Sequence, residues 1–63
     1  MEAYQERIVE EKKGLDKKLN SLSDFFLTKT FESLKDADKE LLINQELAMM
    51  KYSRILDERI TRF

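Results

Sequence analysis

From Asp38 to its last residue, Phe63, the chain carries neither glycine nor proline, the residues that most weaken or break a helix. Along this stretch Leu42, Gln45, Met49, Tyr52, Leu56, Arg59 and Phe63 recur at alternating steps of three and four. That spacing predicts one helix of about seven turns, burying a stripe against other helices. Three members of the stripe, Gln45, Tyr52 and Arg59, suit an apolar core poorly. Their polar groups are either satisfied inside the molecule or offered to something outside it.

The rest of the chain reads the same way. There is no proline and a single glycine, Gly14, in 63 residues. Between Glu2 and Thr28 the heptad positions fall on Tyr4, Ile8, Glu11, Leu15, Lys18, Leu22 and Phe25, with Leu19 and Phe26 widening the stripe. Glu2, Glu6 and Glu10 crowd the end where the helix dipole favours negative charge. Gly14 costs roughly 1 kcal/mol against alanine inside a helix. It is either a tolerated exposed residue or a point where another backbone comes close. Residues 28–37, TKTFESLKDA, are rich in side chains that hydrogen-bond their own backbone. Phe31 and Leu34 suggest a short helical turn that plugs the end of a hairpin, and Asp36 or Asp38 is the expected N-cap of the second helix. The expected fold is all-α: a single domain over residues 1–63, with a helix at about 2–28, a connection at about 29–37 and a helix at about 38–63, folded as an antiparallel hairpin.

Composition excludes several function classes. The 12 basic and 13 acidic residues nearly cancel, leaving no electrostatic reason to bind a nucleic-acid polymer. Hydrophobic residues make up 41%, too many for a disordered tail. No apolar run reaches the roughly 18–20 residues of a membrane span, so the expected location is cytosolic, away from any membrane. With no His, no Cys and no glycine-rich loop, neither catalysis nor a metal nor a cofactor is expected. A chain this short leaves apolar surface wet unless a partner covers it. Val9, Phe26, Leu27, Leu41, Ile43, Leu47, Met50, Ile55 and Ile60 lie outside the strict stripes, which points to a homo-oligomer, a dimer or tetramer forming a larger helical bundle.

A hairpin folded about residues 31 and 32 sets Tyr4 opposite Arg59, Glu11 opposite Tyr52 and Lys18 opposite Gln45, so that polar breaks in the two stripes coincide. One reading makes these structural layers that fix register, with Arg59 over the Tyr4 ring. The other makes them a ligand site. Tyrosine rings stack on bases, Arg7, Lys18 and Arg59 clamp phosphates, and Gln45 reads a base edge. Two helices alone do not enclose such a ligand, which places the site between subunits.

The opening Tyr4-Gln5-x-Arg7-Ile8-Val9-x-Glu11-Lys12, followed by Leu15, Lys18, Leu19, Leu22 and Phe25-Phe26, resembles a widespread family of very short bacteriophage proteins. The tail pattern, Leu41-Leu42, Gln45, Met49, Tyr52-Ser53-x-Ile55-Leu56-x-x-Arg59-Ile60 and Phe63, resembles it too. Proteins of this build are similar to the phage sponges that counter nucleotide-signalling immunity of the CBASS, Thoeris and type III CRISPR kinds. The resemblance implies an immune-evasion protein of the host bacterial cytoplasm. It would sequester, without cleaving, a cyclic dinucleotide, a cyclic trinucleotide or a cyclic ADP-ribose, through Tyr4, Arg7, Lys18, Gln45, Tyr52 and Arg59. The rival from the residues is a protein–protein inhibitor or structural adaptor, whose wide apolar arc docks a partner helix without any small-molecule ligand.

Overall fold

Both stripes form helices, α1 (Ala3–Phe25) and α3 (Asp36–Thr61), joined through a single helical turn, α2 (Lys29–Glu32), in a computed structural model that describes residues 1–63. At the start of α1 the Gln5 side-chain oxygen accepts the Glu2 N–H at 2.8 Å, satisfying a donor that the helix itself leaves free. α1 stops at Phe25, short of the expected residue 28, and Thr28 explains why. Its backbone is extended, and its hydroxyl donates to the Phe25 carbonyl at 2.6 Å and accepts the Phe31 N–H at 3.2 Å. One side chain thus ends α1 and opens α2. The N-cap of α3 is Lys35, not Asp36 or Asp38 as expected. Both aspartates sit in its first turn, where their charges meet the positive end of the helix dipole without serving as the cap.

The two helices run antiparallel as a rod of 46 × 15 × 13 Å. At the loop end the Phe31 ring lies 6.0 Å from Phe25 and 4.8 Å from Phe26, with the Lys39 ammonium 5.8 Å from its centroid. This is the apolar plug expected of α2. At the open end Tyr4 meets Phe63 edge to face at 5.9 Å. The cation–π contact of the chain is therefore Lys39 on Phe31, and the aromatic neighbour of Tyr4 is Phe63 rather than Arg59 above its ring.

Along the seam the structure departs from the expected stripes in a regular way. Ile8, Leu15 and Leu22 in α1, and Leu42, Met49 and Leu56 in α3, turn inward as expected. From five of these the helix returns to the seam four residues later, not three; after Leu22 both Phe25 and Phe26 are half-buried. Lys12, Leu19, Phe26, Glu46, Ser53 and Ile60 are half-buried, whereas Glu11, Lys18, Gln45, Tyr52 and Arg59 are exposed. The reason lies in what each choice buries. The four-residue step brings in Leu19, Phe26 and Ile60 with Lys12, Glu46 and Ser53, while the three-residue step would bring in Phe25 with Glu11, Lys18, Gln45, Tyr52 and Arg59. Apolar burial of about 25 cal/mol per Å² favours the first.

The four-residue step still leaves polar groups in the seam, and they pair. The Lys12 ammonium donates to Asp16 at 2.7 Å and to the Ser53 hydroxyl at 3.1 Å, while Ser53 donates to the other Asp16 oxygen. Further along, Ser23 donates to Glu46 at 2.8 Å. These are the structural polar layers of the molecule, and they use residues outside the expected set. Only Leu56 is fully buried.

Two consequences are measurable. Leu56→Ala removes the one enclosed side chain, and by thermal unfolding it should cost about 3 kcal/mol, a large share of what so small a chain can have. The Lys12 hydrogen bond, and after it that of Ser53, hold the Asp16 carboxyl below its ordinary 3.8, against a smaller opposing effect of burial. A carboxyl lowered on folding stabilises above the ordinary carboxylate range and stops doing so as pH falls through its lowered value. Asp16→Asn should therefore be less stable than wild type at neutral pH and lose less stability between about pH 5 and pH 2 in acid titrations followed by circular dichroism.

Candidate functional site

Tyr4, Lys18, Gln45, Tyr52 and Arg59 are displaced from the seam by the same one-position offset, and Arg7, the residue before Ile8, falls on the same flank. Going around a helix at about 100° per residue, the positions three after each shared seam residue fall on one flank. Like flanks of two antiparallel helices turn to the same broad face of the pair. Tyr4, Arg7 and Lys18 on α1, and Gln45, Tyr52 and Arg59 on α3, therefore share one face of the hairpin. All six are exposed, Tyr4 by 51% and Tyr52 by 41%. Leu41, Ala48 and Ile55 lie between the α3 members on the same flank, and Leu41 and Ile55 are exposed by 67% and 43%. The face is thus a mosaic of rings, cations and bare aliphatic surface.

Near its middle the face is concave. Glu10, Glu11, Gly14, Leu15 and Lys18 from α1 and Tyr52 from α3 line an open depression of about 400 Å³. It joins Glu11, Lys18 and Tyr52. Tyr4, Arg7, Gln45 and Arg59 lie outside it, toward the two ends of the face. Gln45 points its amide at the Met49 sulfur, 3.9 Å away on its own helix. The ion pairs of the chain are Lys12–Asp16 and Lys13–Glu10. Arg7, Lys18 and Arg59 thus keep their charges free for an anion, and Glu11 keeps its carboxylate free for a donor. Glu10, Glu11, Gly14 and Leu15 stand outside the expected ligand set.

The opposite flank of α3 is different. Ile43, Leu47 and Met50 are exposed by 46%, 57% and 53%, and Leu47 and Met50 border a second shallow groove with Lys51 and Arg54. No aromatic ring stands there. No helix is long and apolar enough to cross a membrane, and no group of three or more His, Cys, Asp or Glu side chains gathers as a metal would require.

A family model described as Sequestin matches residues 2–62. The chain belongs to the Sequestin family. Over its whole length it is also 38% identical to a 7.5 kDa protein of the denB-rIIB intergenic region of Enterobacteria phage T4, and the match covers 98% of that protein. No solved structure matches the chain. The Sequestin match spans both helices and the connection, so the seam and the mosaic face lie wholly inside it. This Sequestin chain is accordingly a short, all-helical bacteriophage protein.

The offset makes a direct prediction about stability. Lys18 is exposed and makes no hydrogen bond or ion pair within the chain, so Lys18→Ala should shift the unfolding free energy by less than about 0.5 kcal/mol, and Tyr52→Ala, at a residue 41% exposed, by about 1 kcal/mol. Ser53→Ala, which breaks two hydrogen bonds in the seam beside Tyr52, should cost about 1 kcal/mol. Denaturant titration of the three variants at equal concentration compares them. Unfolding or loss of assembly on Tyr52→Ala would give this face a structural role.

Proposed function

We propose that this protein sequesters a small cyclic nucleotide immune signal in the cytoplasm of the host bacterium, binding it without cleaving it at a site that a second copy of the chain helps to close. The observation that carries this reading is the shared face: two tyrosines, three unpaired cations and an amide are exposed along it, with Lys18 and Tyr52 at its concave middle. Rings stack on bases, and arginine and lysine take phosphates without any excess positive charge on the whole molecule. The family description, Sequestin, supports capture rather than turnover. In the proposed mechanism Tyr4 and Tyr52 stack on bases, Arg7, Lys18 and Arg59 neutralise phosphates, and Gln45 hydrogen-bonds a base edge.

Assembly supports the same reading. A hairpin with one fully buried side chain leaves ten large apolar side chains exposed. A dimer or tetramer would cover them and would also give the open depression its missing wall. The exposed Ile43, Leu47 and Met50 stripe favours a second reading, in which the chain is an inhibitor or adaptor that docks a partner protein helix.

Isothermal titration calorimetry with cyclic dinucleotides, cyclic trinucleotides and cyclic ADP-ribose isomers tests the proposal, together with the solution mass. The expected result is an oligomer that binds one class of ligand and returns it intact after denaturation. Lys18→Ala and Tyr52→Ala should each weaken binding at least tenfold, about 1.4 kcal/mol or more. An oligomer that gives no heat with any of these ligands overturns the sponge. A monomer that binds none of them leaves the adaptor.

A further inference from the structure

Gly14 lies in the middle of α1, a 23-residue helix, where glycine is less stable than alanine. Nothing within the chain demands it. A Cβ built there meets no atom within 4 Å, and its backbone is not in the left-handed region that favours glycine. A helix that keeps its weakest former where alanine would fit has left the space for something outside the chain. The space is the floor of the concave part of the mosaic face. It is bordered by Tyr52 from α3 and, on α1, by Leu15, by Lys18 one turn after Gly14 and by Glu10 and Glu11 one turn before it, with Glu10 also 3.6 Å from the Lys13 ammonium.

We infer that Gly14 is a contact residue for the ligand of the proposed function: a flat nucleobase lies against the bare helix backbone at Gly14, held by Tyr52, with its exocyclic amino group donated to Glu10 or Glu11. The inference rests on the cyclic-nucleotide reading and adds a specificity to it. Two carboxylates beside the floor repel a phosphate, so the charged part of the ligand lies on the Lys18 side. They are acceptors only, and thus suit a base that presents an amino group, such as adenine, guanine or cytosine, over one that presents a carbonyl there. A methyl group at position 14 would hold the ring off the backbone by about the width of one carbon, breaking contact along its whole face.

The test uses a substitution whose effects on folding and on binding have opposite signs. Wild type and Gly14→Ala are compared by thermal unfolding, solution mass and calorimetry against cyclic di-AMP, cyclic di-GMP, cyclic tri-AMP and cyclic ADP-ribose. The tightest of these is then set against its analogue with the amino group replaced by oxygen. Gly14→Ala should melt at the same temperature as wild type or higher, keep its mass, and bind at least tenfold more weakly. The oxo analogue should bind wild type at least tenfold more weakly than its amino parent. Binding by wild type that Gly14→Ala leaves intact overturns the role of Gly14 while sparing the sponge. Equal affinity for the amino and oxo ligands overturns the role of the carboxylates. Loss of assembly in Gly14→Ala makes the close neighbour a second copy of the chain and overturns the inference. Wild type that binds none of the four ligands removes the sponge and this inference together.

Discussion

Two helices lying side by side touch along one strip, and the choice of residues for that strip decides what the remaining surface has to offer. Here the strip takes Leu19, Phe26 and Ile60 inside. The neighbouring positions Lys18, Tyr52 and Arg59 are thereby left facing water. Moving both helices to the three-residue step would bury Lys18, Arg59 and the Tyr52 phenol and turn Leu19 and Ile60 out to water. Desolvating those charges would cost several kcal/mol, far beyond what a chain with one enclosed side chain can carry. The exposed mosaic face is thus a by-product of the most favourable seam.

The Lys12–Asp16–Ser53 cluster adds specificity to that choice. An apolar seam alone tolerates sliding by a turn, because leucine packs on leucine in several registers. A serine that donates to Asp16 while accepting from Lys12 fits one register only. The ion pair at its centre is partly exposed and contributes modestly to stability. Its main effect is to penalise the alternatives, each of which strands a charged group against hydrocarbon.

Much of this architecture is legible in the chain alone. The absence of proline, the single glycine and the apolar recurrence at three and four announce two helices, and the threonine and serine run announces the turn between them. The aromatic plug is legible as well, since Phe31 follows Phe25 and Phe26 across so short a gap. The seam is harder. Ile8, Leu15, Leu22, Leu42, Met49 and Leu56 fit two stripes equally well, one continuing after three residues and one after four, and on α3 both continuations contain polar groups. Periodicity does not separate them. The balance turns on what each choice buries and on partners from the other helix, such as Ser53 finding Lys12 and Asp16, and that is information about pairs far apart in the chain. The same holds for the α3 cap, where the two aspartates compete within three residues and the backbone selects Lys35. The candidate face follows the seam: its members are readable as misfits, but their turning outward together is visible only once the helices are paired.

At the open end of the rod, Tyr4 and Phe63 touch, so the chain begins and finishes in the same place. At the other end Leu27, exposed by 86%, sits in the bend between α1 and α2 and packs on nothing. The topology is therefore nearly a closed ring, with a covalent link at one pole and an aromatic contact at the other. Either pole suits the peptide connection, whose part is chiefly to keep the helices at high effective concentration. A permuted chain that runs from α3 into α1, joined through a short flexible bridge and opened beside Leu27, should thus trace the same pair of helices and present the same face.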